Sequence, residues 1–300
     1  MKKKLLTALK IALSIGLVIF VLSQIETKRL LELLKSSDPL WLFGAFLLFN
    51  ASKIVSSLRL NIYFKHLRIP LGELEALRLY YVGMFYNLFL PGGIGGDGYK
   101  VYLLQKRHNA GYKGLIAATL LDRISGLAAL LFLAGVLFLY SRYAELFPWL
   151  KLLDIAALIA LFPLYFYLHK KLFRSLSEDL SKTTFLAFVV QLLQLLSAYA
   201  IFKALGLNDH MIEYLTLFLV SSVVAVLPLT IGGVGAREFT FLYGLKILGL
   251  DPSAGVAFSF LFFLITLLSS AIGLFFLHRP LTEDSRSDRP DRAPRPREPR

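Results

Sequence analysis

Cysteine is absent from the 300-residue chain. That excludes disulfides, thiolate nucleophiles, thiolate metal sites and palmitoyl attachment together. Histidine is sparse: His66, His108, His169, His210 and His278 stand alone, without an HExxH or paired spacing, so no metal site is expected. A GxSxG nucleophile turn and a Walker phosphate loop are also missing. No catalytic residue and no cofactor are therefore expected, and any transport would be passive or ion-coupled. Polar surface is in short supply too. Apolar residues make up 56% of the chain and mean hydropathy is +0.64, where a soluble domain is about 45–50% apolar. A water-soluble fold would lack the polar surface to cover so much hydrocarbon.

What is present is a series of long apolar blocks separated by short basic clusters. Crossing a bilayer takes about 20 apolar residues in a helix. Six blocks reach that length, near Leu5–Ile25, Pro39–Leu58, Tyr112–Tyr140, Pro148–Leu168, Thr184–Leu205 and Pro252–Leu277. The first resembles a signal peptide but is long and lacks a small-x-small cleavage site, so it is read as an uncleaved span. Thr27–Ser36 alternates leucine with charge and reads as an interfacial helix. Two further apolar helices, Leu71–Leu90 and Met211–Leu227, each run into a proline and glycine break. Residues 279–300 are rich in Arg, Asp and Pro, cannot bury a core, and are expected to form a disordered cytoplasmic tail.

The net charge of +13 is no nucleic-acid signature, because the basic residues sit between apolar blocks in the positive-inside pattern. Lys2, Lys3, Lys4 and Lys10 place the N-terminus in the cytoplasm. Arg59, Lys65 and Arg68 on one side of Leu71–Leu90, and Lys106, Arg107 and Lys113 beyond its break, all favour the inside. A re-entrant hairpin satisfies both flanks. The expected arrangement is an all-α polytopic membrane protein of a prokaryotic plasma or inner membrane, with both termini cytoplasmic. It has about six transmembrane helices plus two re-entrant broken-helix hairpins.

The two breaks resemble each other. Leu90–Lys100 reads LPGGIGGDGYK and Leu227–Arg237 reads LPLTIGGVGAR. Three spans separate them, so the second unit is upside down. The membrane domain, residues 1–278, is thus expected to hold an inverted repeat with units near 39–140 and 184–277. Non-helical backbone cannot face lipid with its amides unpaired. It survives packed in protein or lining a wet cavity, where free amides at a helix start form an anion site. The candidate substrate-binding residues are therefore Pro91, Gly92, Gly93, Gly95, Gly96, Asp97 and Lys100 at the first break. At the second they are Pro228, Gly232, Gly233, Gly235, Arg237 and Glu238. The alternative is that these glycines serve close helix packing. Gly93, Gly95 and Gly98 also spell GxGxxG, but a dinucleotide site needs a preceding strand and an apolar helix stands there.

Asp122 and Arg123 lie inside the third span, where an unpaired charge costs about 2.5–3.5 kcal/mol. Neighbours on a helix point apart, so each needs its own partner; Lys100 is a candidate for Asp122. Both join the candidate site. Lys53 and Asn50 in the second span are weaker candidates, because Lys53 could snorkel to the inner surface.

At LPGGIGGDGYK, at LDRISG around Asp122 and Arg123, and at LPLTIGGVGAREF, the chain resembles the lysylphosphatidylglycerol synthase transmembrane region family, also called flippase-like domain proteins. The resemblance covers residues 5–278. It implies a membrane region that moves a lipid between leaflets. In full-length family enzymes this region is joined to a soluble aminoacyltransferase domain, for which the sequence up to Arg300 leaves no room, so transferase activity is not carried over. The expected partners are membrane lipids, an anionic phospholipid or lipid-linked glycan held in a midplane cavity, with a partner enzyme or a second copy as further possibilities. The competing expectation is a membrane enzyme or accessory subunit in lipid head-group or envelope glycolipid synthesis.

Overall fold

The computed structural model describes residues 2–89, 95–226, 230 and 233–277, with side chains from Ile11 onward except that of Phe89. Among them there is no strand; the chain is α-helical throughout. The helices are α1 (Lys2–Ser23), α2 (Thr27–Lys35), α3 (Pro39–His66), α4 (Glu73–Phe89), α5 (Gly95–His108) and α6 (Tyr112–Tyr140). They continue with α7 (Arg142–Leu146), α8 (Pro148–Leu172), α9 (Leu180–Ala204), α10 (Met211–Val226), α11 (Ala236–Ile247) and α12 (Pro252–Leu277).

Five helices, α3, α6, α8, α9 and α12, are long and apolar enough to span a membrane. A sixth is reached if α1 and α2 count as one bent segment, and they meet at 94°. That bend agrees with an interfacial α2, whose Leu30 and Leu33 are buried while its charges stay exposed. The long helices start where local chemistry directs. Asp38 caps α3, accepting a hydrogen bond from the Leu40 amide at 2.8 Å, and Pro39 follows at a position that needs no donor. Asp251 and Pro252 repeat the device at α12, with the Ser253 amide 2.8 Å from Asp251 Oδ1.

α3 corrects the sequence reading. The apolar block ends near Leu58, but the helix continues to His66. Arg59, read above as a charge at the membrane surface, is instead 4% exposed in the helix interior. Hydropathy marks where apolar residues stop; the helix goes on because Arg59 finds a partner inside the bundle.

The packing has a regular plan. α3 lies along α9. α4 folds back on α5 and packs along α12, while α10 folds back on α11 and packs along α6. Exchanging α3–α6 with α9–α12 maps these neighbours onto one another. Small residues permit the closest crossings. A Cβ on Gly96 would lie 1.8 Å from the Gly83 carbonyl oxygen, so α4 and α5 touch backbone to backbone. A Cβ on Gly273 would lie 2.4 Å from the Tyr81 carbonyl oxygen, and the same logic joins α12 to α4. α8 sits at the periphery against α6, with most of its surface exposed, as suits a helix that faces lipid.

Pro91, Gly92 and Gly93 of the first break, Pro228 and Gly232 of the second, and the tail lie outside the described residues.

Candidate functional site

Two groups of charged residues inside the bundle lie at the breaks, one at each. At the first, Gly95 opens α5, and the Gly96 amide donates to Asn87 Oδ1 at 2.8 Å. One turn into the helix, Asp97 is bound by two cations. Lys100 Nζ lies 2.7 Å from Oδ1 and Arg123 Nε 2.5 Å from Oδ2. Lys100 is only 5% exposed and its ammonium also sits 5.2 Å from the Tyr80 ring centre. Gly83 makes room for it: a Cβ there would come within 3.0 Å of Lys100 Cε.

Asp122 does not pair with Lys100, the partner suggested by the sequence. It accepts from Arg59 Nε at 2.7 Å, and its backbone carbonyl accepts from Arg59 Nη2 at 3.0 Å. Lys100 is already held by Asp97, three residues earlier on the same helix, which is the nearer carboxylate. The expectation that Asp122 and Arg123 point apart holds: one reaches α3 and the other α5. Gly126, one turn along α6 from Asp122, leaves space for the guanidinium; a Cβ there would stand 3.4 Å from Arg59 Nη2. The remaining Arg59 nitrogen, Nη1, is buried with no hydrogen-bond partner among the described residues.

The second break is built differently. Gly233 and Gly235 take φ of 80° and 84°, a left-handed backbone that strains any side chain. Both glycines are also walled in: a Cβ on Gly235 would meet Leu17 Cβ of α1 at 2.7 Å, and one on Gly233 would meet Ala225 Cβ at 2.8 Å. Glu238 secures this turn. Its Oε2 accepts from the Gly235 amide at 2.7 Å and its Oε1 from Ser259 Oγ at 2.9 Å, so both carboxylate oxygens are engaged.

Arg237, next to it, has no ion pair among the described residues. Its Nη1 donates to Ser222 Oγ at 3.0 Å, and its guanidinium lies 5.1 Å from the Phe262 ring centre. Lys53 is in the same condition. It is the middle of the 28-residue α3, roughly 20 Å from either end at the helical rise. It does not snorkel toward the C-terminal end of α3. Its Nζ folds back over Phe49, one turn earlier, at 4.2 Å from the ring centre. A ring contact is worth about 0.5–2 kcal/mol, while a charge at the centre of a membrane helix costs about 2.5–3.5 kcal/mol. Two half-buried cations, Lys53 and Arg237, therefore remain without an ion-pair partner among the described residues. Asn50, one turn from Lys53, ties three helices together. It donates to Ser269 Oγ of α12 at 2.9 Å and accepts from Tyr81 Oη of α4 at 2.8 Å.

Cavities also lie away from this core. An apolar one of about 630 Å³ runs between α1, α10 and α11, lined by Leu13, Leu17, Val220, Ala236, Phe239 and Tyr243 among others. A charged cleft of about 620 Å³ opens at the C-terminal end of α3, among Lys65, His66, Glu73, Glu178, Asp179 and Lys182. No group of His, Cys, Asp and Glu among the described residues is disposed to hold a metal ion.

The charged core and both breaks fall within residues 7–273, which match the profile of the lysylphosphatidylglycerol synthase TM region. The chain belongs to this family. It is similar to a UPF0104 membrane protein of Pyrococcus horikoshii, 24% identical over 79% of this chain and 85% of that protein. A UPF0104 membrane protein of Methanocaldococcus jannaschii is 26% identical over 69% of this chain and the whole of that one. A phosphatidylglycerol lysyltransferase of Staphylococcus xylosus is 26% identical over 85% of this chain, which spans 32% of the enzyme. No solved structure gives a significant match.

Sequence reasoning reached Lys100, Asp97, Asp122, Arg123, Arg237 and Glu238, and the structure sorts them into two clusters. It missed Arg59 as a core residue. The available signal was Asp122 itself, a carboxylate in an apolar span that demanded a cation from another helix.

Proposed function

We propose that the protein carries the anionic head group of a membrane lipid, a phospholipid or lipid-linked glycan, across the bilayer midplane. The path runs between two inverted units, residues 39–140 and 184–277, whose broken helices meet at the centre. Both termini lie in the cytoplasm in this reading, as the basic loops favour. The observation that carries it is Arg237, a half-buried cation beside a helix break with no ion-pair partner among the described residues. Such a group awaits an anion, and in a membrane core the abundant anion is a lipid phosphate. The exchange symmetry of the packing supports two equivalent halves that could rock against each other around that point. The relative whose name specifies phosphatidylglycerol makes that lipid the first substrate to test.

The test is leaflet exchange of labelled phosphatidylglycerol in proteoliposomes of the purified protein. Exchange clearly above that of protein-free vesicles is expected. Rates equal to the protein-free control would overturn the transport reading, and recovery of a chemically altered lipid would replace it with an enzyme.

A further inference from the structure

The charged cleft of about 620 Å³ lies away from both breaks. It opens where two spanning helices end, α3 finishing at His66 and α9 starting at Leu180. Its wall is graded along those helices. Leu58 and Ile62 lie two turns and one turn deeper on α3 than His66, and Leu186 one turn deeper on α9 than Lys182. The cleft thus runs from hydrocarbon depth to the charged membrane surface, as an amphiphile does.

The charges at its rim are not matched among themselves. Lys65 pairs with Glu73, which also accepts from Asn61 Nδ2 at 3.1 Å. Glu178 and Asp179, in the turn before α9, face an imidazole instead. His66 Nε2 lies 3.5 Å from Glu178 Oε2 and 3.6 Å from Asp179 Oδ2. The other ring nitrogen, Nδ1, is 2.9 Å from the Ile62 carbonyl oxygen. A carbonyl only accepts, so in the neutral ring the hydrogen sits on Nδ1 and Nε2 presents a lone pair. Three acceptors, two of them anionic, then converge with no donor between them among the described residues. Lys182, in the first turn of α9, lines the same cleft and has no ion pair among the described residues.

We propose that this cleft binds a phospholipid whose head group ends in a primary ammonium, an ethanolamine phospholipid. The three N–H donors of an ammonium match the three acceptors. Lys182 meets the phosphate as a point charge. Asp179 and Lys182, three residues apart, stand about 5–6 Å apart at Cβ, comparable to the reach of an ammonium two carbons from a phosphate. The chains leave along Leu58, Ile62 and Leu186. A choline head group has the same charge but no N–H to donate. A glycerol head group has no cation to set against Glu178 and Asp179. The bound lipid fastens the turn before α9 to the end of α3 and stabilises the folded chain. This site does not depend on whether the protein moves lipid between leaflets.

The experiment is equilibrium binding of labelled short-chain phosphatidylethanolamine to the purified full chain in nonionic detergent, with the unfolding temperature recorded. Saturable binding and a rise in unfolding temperature are expected. Glu178→Gln/Asp179→Asn should bind at least about tenfold more weakly, and Lys182→Gln several-fold more weakly. Glu178 is 85% exposed at its side chain, so these rim variants should keep their folded yield. Phosphatidylcholine and phosphatidylglycerol should each bind at least about tenfold more weakly than phosphatidylethanolamine. Unchanged binding in either variant would overturn the proposal, as would equal binding of phosphatidylcholine. Free ethanolamine phosphate should displace the lipid only in large excess; equal competition would mean a small-molecule site and overturn the lipid assignment. Failure of leaflet exchange with this binding intact would remove the transport reading and leave the cleft assignment standing.

Discussion

The two glycine-rich breaks share a sequence pattern but divide the chemistry between them. With the motifs aligned, Lys100 corresponds to Arg237 and Asp97 to Val234. At the first break the carboxylate is present and holds two cations, Lys100 and Arg123, at 2.7 and 2.5 Å. At the second no carboxylate stands three residues before the cation, and Arg237 is left on a serine and an aromatic ring. The helices differ as well. α5 opens at Gly95, so Asp97 and Lys100 share a face, whereas α11 opens only at Ala236, after two left-handed glycines. The difference teaches that one motif can hold its cation with a carboxylate while its counterpart holds the corresponding cation on a hydroxyl and a ring.

The largest effect is expected where the first half is most tightly closed. Arg59→Met would leave Asp122 buried without its cation, a loss of about 3–5 kcal/mol. The double variant Arg59→Met/Asp122→Asn should recover much of it. Thermal unfolding in detergent of the two variants tests this, and equal damage in both would remove the ion pair from the account.

A smaller but still clear loss is expected from Gly96→Ala, whose new methyl would drive into the Gly83 carbonyl. Overpacking of this kind costs about 1–3 kcal/mol and sometimes more. Gly98→Ala, two residues on, meets nothing within 4 Å, and alanine in a helix is favoured by about 0.5–1 kcal/mol. Unfolding temperatures should therefore move in opposite directions. If both fall together, the glycines are not divided between contact and open space as described.

The comparison can also be inverted. Val234→Asp places at the second break the carboxylate the first one has. It should engage Arg237 and lower phosphatidylglycerol binding several-fold with little change in folded yield. Binding at the wild-type level would show that Arg237 does not need to be free of a carboxylate.

The contrast between the halves was only partly legible in the sequence. The breaks were visible because proline and glycine act locally, and the membrane spans were visible because hydropathy is a sum over neighbours. Arg59 was not legible as a core residue. It lies just past an apolar block, where a basic residue is ordinarily a surface charge, and its partner Asp122 is 63 positions away in sequence. Lys53 was legible as an oddity, a charge in mid-span, but its direction was not. Whether a long side chain runs to the surface or folds onto a ring depends on what packs beside it. Nor could the motif alignment reveal that Asp97 ties up its cations, because that depends on where each helix begins.

The most direct measurement compares Arg237→Met with Lys100→Met in the same phosphatidylglycerol leaflet-exchange assay, with folded yield recorded for each. Removing Arg237 should reduce exchange by at least about tenfold, equivalent to about 1.4 kcal/mol, with the folded yield largely kept. Removing Lys100, whose charge Asp97 already balances, should reduce exchange far less and chiefly through lost folded protein. Exchange that survives Arg237→Met but disappears in well-folded Lys100→Met would contradict the account.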